Sequence, residues 1–180
     1  MDSENTAEVK ISELLGEALD ELEPPEIYNR FMKHLVAEGA DEDALAQFCL
    51  DMAQLSNQLI AERCLTGAYK ITRVLAEYWQ YSESQNLLGV MFSCGAGVEQ
   101  DDAVAMYWFN KAADQGHEAA KVDCEGIYSA YKQNLSHDDF DDVLHAVVTM
   151  CENGSVYIPL DPAKAEYWLD RQTAENREAE

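Results

Sequence analysis

The chain has 180 residues, 47% of them apolar, and carries 35 acidic against 12 basic residues for a formal charge of −23. That length suits one domain or a short repeat array, and the apolar share is enough for a packed core. The charge repels a phosphate backbone and argues against nucleic-acid binding, and no run of eighteen apolar residues is present to cross a membrane.

The opening "MDSENTAEVK" is acidic and polar, without the basic and apolar regions of a secretory signal, and so points to a cytoplasmic protein. From Thr6 to Leu22 an apolar stripe of Val9, Ile11, Leu14, Leu15, Ala18 and Leu19 recurs at helical spacing. Pro24 and Pro25 stop that helix and suit the first turn of the next. This second helix is predicted to reach about Ala37, with Ile27, Phe31, Leu35 and Val36 inward and Gly39 ending it. Asp41 is placed to cap a long third helix whose buried face is Leu45, Phe48, Cys49, Met52, Leu55, Leu59 and Ile60, closed by Gly67. A fourth, from about Ala68 to Tyr81, buries Ile71, Val74, Leu75, Tyr78 and Trp79. The connections are short, as antiparallel hairpins require, and no Gly/Ser-rich or Pro-rich linker divides the chain.

The stretch Leu88–Gly116, "LGVMFSCGAGVEQDDAVAMYWFNKAADQG", places two glycines between two helical patterns. Beyond it, helices are predicted from Ala119 to about Asn134 and from "SHDDFDD" to about Cys151, ended by Asn153 and Gly154. The irregular "SVYIPL" leads to Asp161-Pro162, which opens a final helix to about Thr173, with "AENREAE" fraying. Two internal echoes run through this half. Ser84, Leu88 and Phe92 recur thirty-six residues later as Ala120, Cys124 and Tyr128. "DDAVAMYWF" at Asp101–Phe109 recurs as "DPAKAEYWL" at Asp161–Leu169, with Asp, both Ala, Tyr and Trp in the same places. Different offsets indicate degenerate repeats with an insertion in the second.

The stretch resembles the Sel1-like repeat family, relatives of tetratricopeptide repeats. The residues that carry the resemblance are Leu88-Gly89, Phe92, Gly95, Gly97-Val98, Asp101, Val104-Ala105, Trp108-Phe109, Lys111-Ala112-Ala113 and Gln115-Gly116; Val104 stands where the family has Lys, and Phe109 where it has Tyr. The resemblance implies an all-α fold: a short right-handed α-solenoid of antiparallel helix hairpins, with no sheet. Residues 1–180 are then one α-helical domain, with degenerate hairpins over 1–82, a clear repeat over 83–118 and a degenerate repeat with an insertion over 119–178. Each motif residue has a structural role. Gly89, Ala112 and Ala113 allow close helix packing, Gly95 and Gly97 allow positive φ, Asp101 caps a helix, and Trp108, Phe92 and Phe109 fill the joint.

Chemistry is harder to find. The acidic run His137–Asp142 lacks the alternation, central Gly and terminal Glu of a calcium loop, and Ser136 or Asp138 is placed to cap a helix. His34, His117, His137 and His145 form no HExxH, and His137 and His145 are two helical turns apart. The five cysteines Cys49, Cys64, Cys94, Cys124 and Cys151 stand singly with no CxxC pair, as small core residues in a reducing compartment do. Cys94, beside the turn, is the one thiol whose position suggests exposure. Gly95–Gly97 lacks the Lys of a phosphate loop, and no nucleophile elbow occurs. The aromatic run Ala105–Phe109 reads as repeat core.

No enzyme active site, metal site or cofactor is therefore expected. The resemblance implies a groove lined by the first helix of each pair, where a protein partner binds. Its candidate contact residues are Glu83, Asn86, Val90 and Ser93, with Val122 and Ser129 equivalent one repeat on. The acidic surface suits a basic partner. An adaptor or scaffold is the first reading. An immunity or inhibitor protein that neutralises one cognate toxin or enzyme is the alternative, and a hydrolase using a Cys or Asp is a third.

Overall fold

A computed structural model describes residue 19 and residues 21–179. The helix predicted over Thr6–Leu22 lies almost wholly outside the described residues. Eight helices follow: α1 Pro24–Glu38, α2 Glu42–Ala61, α3 Leu65–Glu77, α4 Ser82–Cys94, α5 Asp102–Asp114, α6 Glu118–Asn134, α7 His137–Asn153 and α8 Pro162–Ala179. Among the described residues there is no strand, and the chain is an all-α array of helical hairpins.

The helix starts follow the sequence signals. Asp41, Asp101 and Ser136 each accept the backbone N–H three residues on, at 2.9, 3.0 and 3.2 Å. His117 does the same through Nδ1, 3.2 Å from Ala120 N, so this histidine is a helix cap rather than a ligand. Such a cap contributes about 1 kcal/mol. α1 ends at Gly39 and α4 at Gly95, both left-handed, with φ of 65° and 69°.

Three boundaries and one face differ from expectation. Gly67 does not close a helix. α2 ends at Ala61, the reversal uses Arg63 at φ 63°, and Gly67 lies in the first turn of α3. There its missing side chain admits Leu59 and Leu19, whose atoms would lie 3.6 and 2.9 Å from a Cβ. α3 stops at Glu77, before Tyr78 and Trp79, because Gln80 adopts φ 54° and turns the chain into α4. α8 continues to Ala179. Ion pairing of Glu175 with Lys132, and a hydrogen bond from Asn176 to Asp141, anchor the turns that the sequence alone suggested would fray. Val36 is 73% exposed, because the buried stripe Pro24, Ile27, Phe31, Leu35 leaves it about 100° round the helix.

α2 packs on α3, α4 on α5 and α7 on α8 as hairpins, while α3 against α4 and α5 against α6 join successive pairs. α1 packs chiefly on α3 and meets its neighbour α2 through the Phe31 and Phe48 rings, 5.1 Å apart. Two cores result. Ile27, Phe31, Leu35, Phe48 and Met52 meet Ile71, Val74 and Leu75 of α3 in the first. Ala68, Tyr69 and Ala76 of the same helix join the second, which runs from α4 to Trp168. α3 is therefore buried on both sides and ties the two cores together, as its nearly continuous row of buried residues requires.

Candidate protein-binding face

The buried positions of the central hairpin take up the aromatic and helix-packing residues of its motif, Leu88, Gly89, Phe92, Val104, Ala105, Trp108, Phe109 and Ala112. Ala105 to Phe109 are at most 2% exposed, so the aromatic run is core and offers no surface to a partner. Phe109 lies over Gly89, where a Cβ would come within 2.7 Å of the ring. Gly97, at φ 78°, presses its backbone on the start of α3, where a Cβ would lie 2.2 Å from Leu65 O. What these residues leave to solvent is the outer stripe of α4, and the candidates lie there.

Glu83 is exposed in the first turn of α4 and accepts the Ser82 hydroxyl at 2.9 Å. Asn86 is half-buried, and its side-chain oxygen has no hydrogen-bond partner. Val90 is 38% exposed. Ser93 is half-buried and donates its hydroxyl to Val90 O at 2.9 Å. Their spacing of three and four places them in one row along α4. On α6, Val122 is 68% exposed and Ser129 is exposed, two helical turns apart on one side. α4 and α6 touch only narrowly, both being seated chiefly on α5, so the two rows stand on neighbouring helices without a hydrogen bond between them among the described residues.

No group of three or more His, Cys, Asp or Glu among the described residues is arranged to hold a metal ion. Burial pushes the thiols of Cys124 and Cys151 up to about 12, which keeps both protonated at neutral pH. Cys94 is exposed, as its place beside Gly95 suggested, and so is Cys64. No described helix is long and apolar enough to cross a membrane.

Charged side chains are spent instead on joining helices. Asp161 caps α8 and accepts the Tyr107 hydroxyl and the Lys111 ammonium at 3.1 and 3.0 Å. Burial pushes its carboxyl up, but Lys111, the Lys164 N–H and the Tyr107 hydroxyl outweigh burial and hold it below the usual range. Arg171 on α8 grips Glu125 of α6 with two bonds of 2.7 and 3.0 Å and lies over the Tyr128 ring at 3.6 Å. Burial weakens the guanidinium's hold on its proton, but Glu125 and Tyr167 more than restore it. Lys164, buried, pairs with Asn110 and Asp114 of α5. Sequence reasoning missed these inter-helix pairs, since the bonded partners are 46 to 54 residues apart. It also missed a cavity of about 390 Å³ between α1 and α2, whose only local signal is Glu38 and Asp41 flanking Gly39.

Comparison with known proteins finds Sel1 repeats in two segments. The Sel1 repeat model matches residues 82–117, which are α4 and α5, and residues 146–171, which span the second half of α7 and the first half of α8. A crystal structure of a Sel1 repeat protein from Oxalobacter formigenes is 17% identical, with 79% of this chain and 68% of that chain covered and a TM-score of 0.44. No curated protein matches the chain at a significant level. The geometry repeats with the family match: Asp101 and Asp161 cap their helices alike, and the pairs Tyr107–Trp108 and Tyr167–Trp168 have the same ring separation of 5.1 Å and interplanar angle of 81°. Two segments of this chain, residues 82–117 and 146–171, are Sel1-like repeats.

Proposed function

We propose that this protein is a non-enzymatic protein–protein interaction module, an adaptor or scaffold. It would hold a protein or peptide partner against the groove flanked by α4 and α6. The observation that carries this reading is the pair of solvent-facing valines, Val90 and Val122, on two adjacent helices whose other apolar residues are nearly all used in packing. Glu83, Asn86, Ser93 and Ser129 would supply the polar rim around them. The formal charge of −23 favours a basic partner, drawn in by a long-range field.

Such an interface depends on ionic strength. Affinity for a partner isolated from the native cell should fall about tenfold or more between roughly 50 and 500 mM salt, as the charges are screened. Calorimetric titration at both salt concentrations reads this directly. Binding that ignores salt would remove the electrostatic part of the reading, and binding undiminished by Val90→Asp would remove the groove.

A further inference from the structure

A second surface lies outside the two family-matched segments, where the end of α1 meets the first turns of α2. A cavity of about 390 Å³ opens there, within the size range of small-ligand pockets. Its floor is apolar, built from Leu35 and Phe48, both nearly closed to solvent. Its rim carries Glu38, Asp41 and Asp51. Asp41 caps α2 through Oδ1, and Asp51 accepts Gln47 Nε2 at 2.8 Å, so each carboxylate is fixed in place by its own helix. His34 Nε2 stands 3.5 Å from Glu38. Among the described residues no lysine or arginine lines the cavity.

The helix that ends there brings no basic side chain of its own to its last turn. The C-terminal pole of a helix is negative and is commonly matched by a basic side chain in the last turn. α1 has none, and carries Glu38 at that end. Three carboxylates and a helix pole thus focus negative potential on a concave site with an aromatic floor. A flat, weakly hydrated cation with an apolar stem meets both requirements: guanidinium can lie against an aromatic ring while it bonds carboxylates at its edge.

We infer that this cavity receives an arginine side chain of a protein partner. The inference rests on the reading of the protein as a binder of other proteins, but it uses a different surface from α4 and α6, and each can fail alone. The test uses the full chain labelled with ¹⁵N and titrated with the capped peptide Ac-Ala-Ala-Arg-Ala-Ala-NH₂, with citrulline and lysine versions as controls. Saturable shifts should centre on the amides of Gly39, Ala40, Ala44 and Phe48 with arginine, be weaker with lysine and be absent with citrulline. The double variant Glu38→Gln/Asp51→Asn should weaken arginine binding about tenfold, as expected for two lost charge contacts. Gln47→Lys, an exposed change that brings a cation to the rim, should abolish it. Equal shifts from citrulline, lysine binding as tight as arginine, shifts spread over the acidic surface without a focus at the cavity, or unchanged affinity in both variants would each overturn the assignment. Neither variant touches Val90 or Val122, so a partner held by the α4–α6 groove alone would bind them normally.

Discussion

The hairpins α4–α5 and α7–α8 share a pattern but not a job. In the first, Gly89 lets Phe109 lie on the facing helix, and Phe109 is 2% exposed. In the second, Thr149 stands where Gly89 would be, and Leu169, the counterpart of Phe109, is 47% exposed. Tyr107 is fully buried and bonded to Asp161 of the following hairpin, whereas Tyr167 is 36% exposed and Arg171 beside it is bound by Glu125 of α6. Trp108 donates its indole N–H to Tyr157 O at 3.2 Å, but the indole N–H of Trp168 is buried without a partner. The loops differ in the same sense. Gly97 rests its backbone on α3, while Tyr157 rests a ring 5.1 Å from Phe92. Each hairpin is completed by the element it stacks on, and the same motif residues gain different worth from different neighbours.

The comparison can be broken in graded steps. Gly97→Val should be the most damaging change, about 3–5 kcal/mol in urea unfolding, because it combines a backbone clash with a left-handed φ. Gly89→Val should cost about 1–3 kcal/mol by displacing Phe109, while Thr149→Val, at an exposed position, should stay within about 0.5 kcal/mol. Equal losses at the two sites would mean that the hairpins are packed alike. Trp108→Phe should exceed Trp168→Phe by about 1–2 kcal/mol, since only the first strands the Tyr157 carbonyl and the second removes an unpartnered donor. Asp161→Asn should cost about 1 kcal/mol at neutral pH. Its carboxyl is depressed by folding, so the stabilisation is fully present above the unfolded value near 3.9 and disappears as pH falls through the lower folded value. Thermal unfolding curves of variant and wild type should therefore converge in acid, and a gap that persists there would show that the ion pair is not its source.

Sequence carried the central hairpin almost completely, because its signals are local: a cap, two turn glycines and a dense apolar run. Gly67 misled for a physical reason. A glycine relaxes sterics equally at a turn and at a tight helix contact, and only the neighbours, here Leu59 and Leu19, decide which. Val36 misled because a run of adjacent apolar residues does not say which one faces inward. The candidate face was legible as leftover positions, those on α4 that the packing motif does not use. The ion pairs of Arg171 and Asp161, and the cavity at Phe48, were not legible, since they arise where separate helices converge.

Central to the proposal is that packing consumes the aromatic motif and that a partner would bind the outer rows of α4 and α6. The most direct test is quantitative partner binding by the double variant Val90→Asp/Val122→Asp beside a Phe109→Leu variant, with the unfolding temperature of each recorded. The account predicts that the double variant keeps its unfolding temperature and loses partner binding, while Phe109→Leu lowers the unfolding temperature and, below it, still binds. Undiminished binding by a folded Val90→Asp/Val122→Asp protein would contradict it.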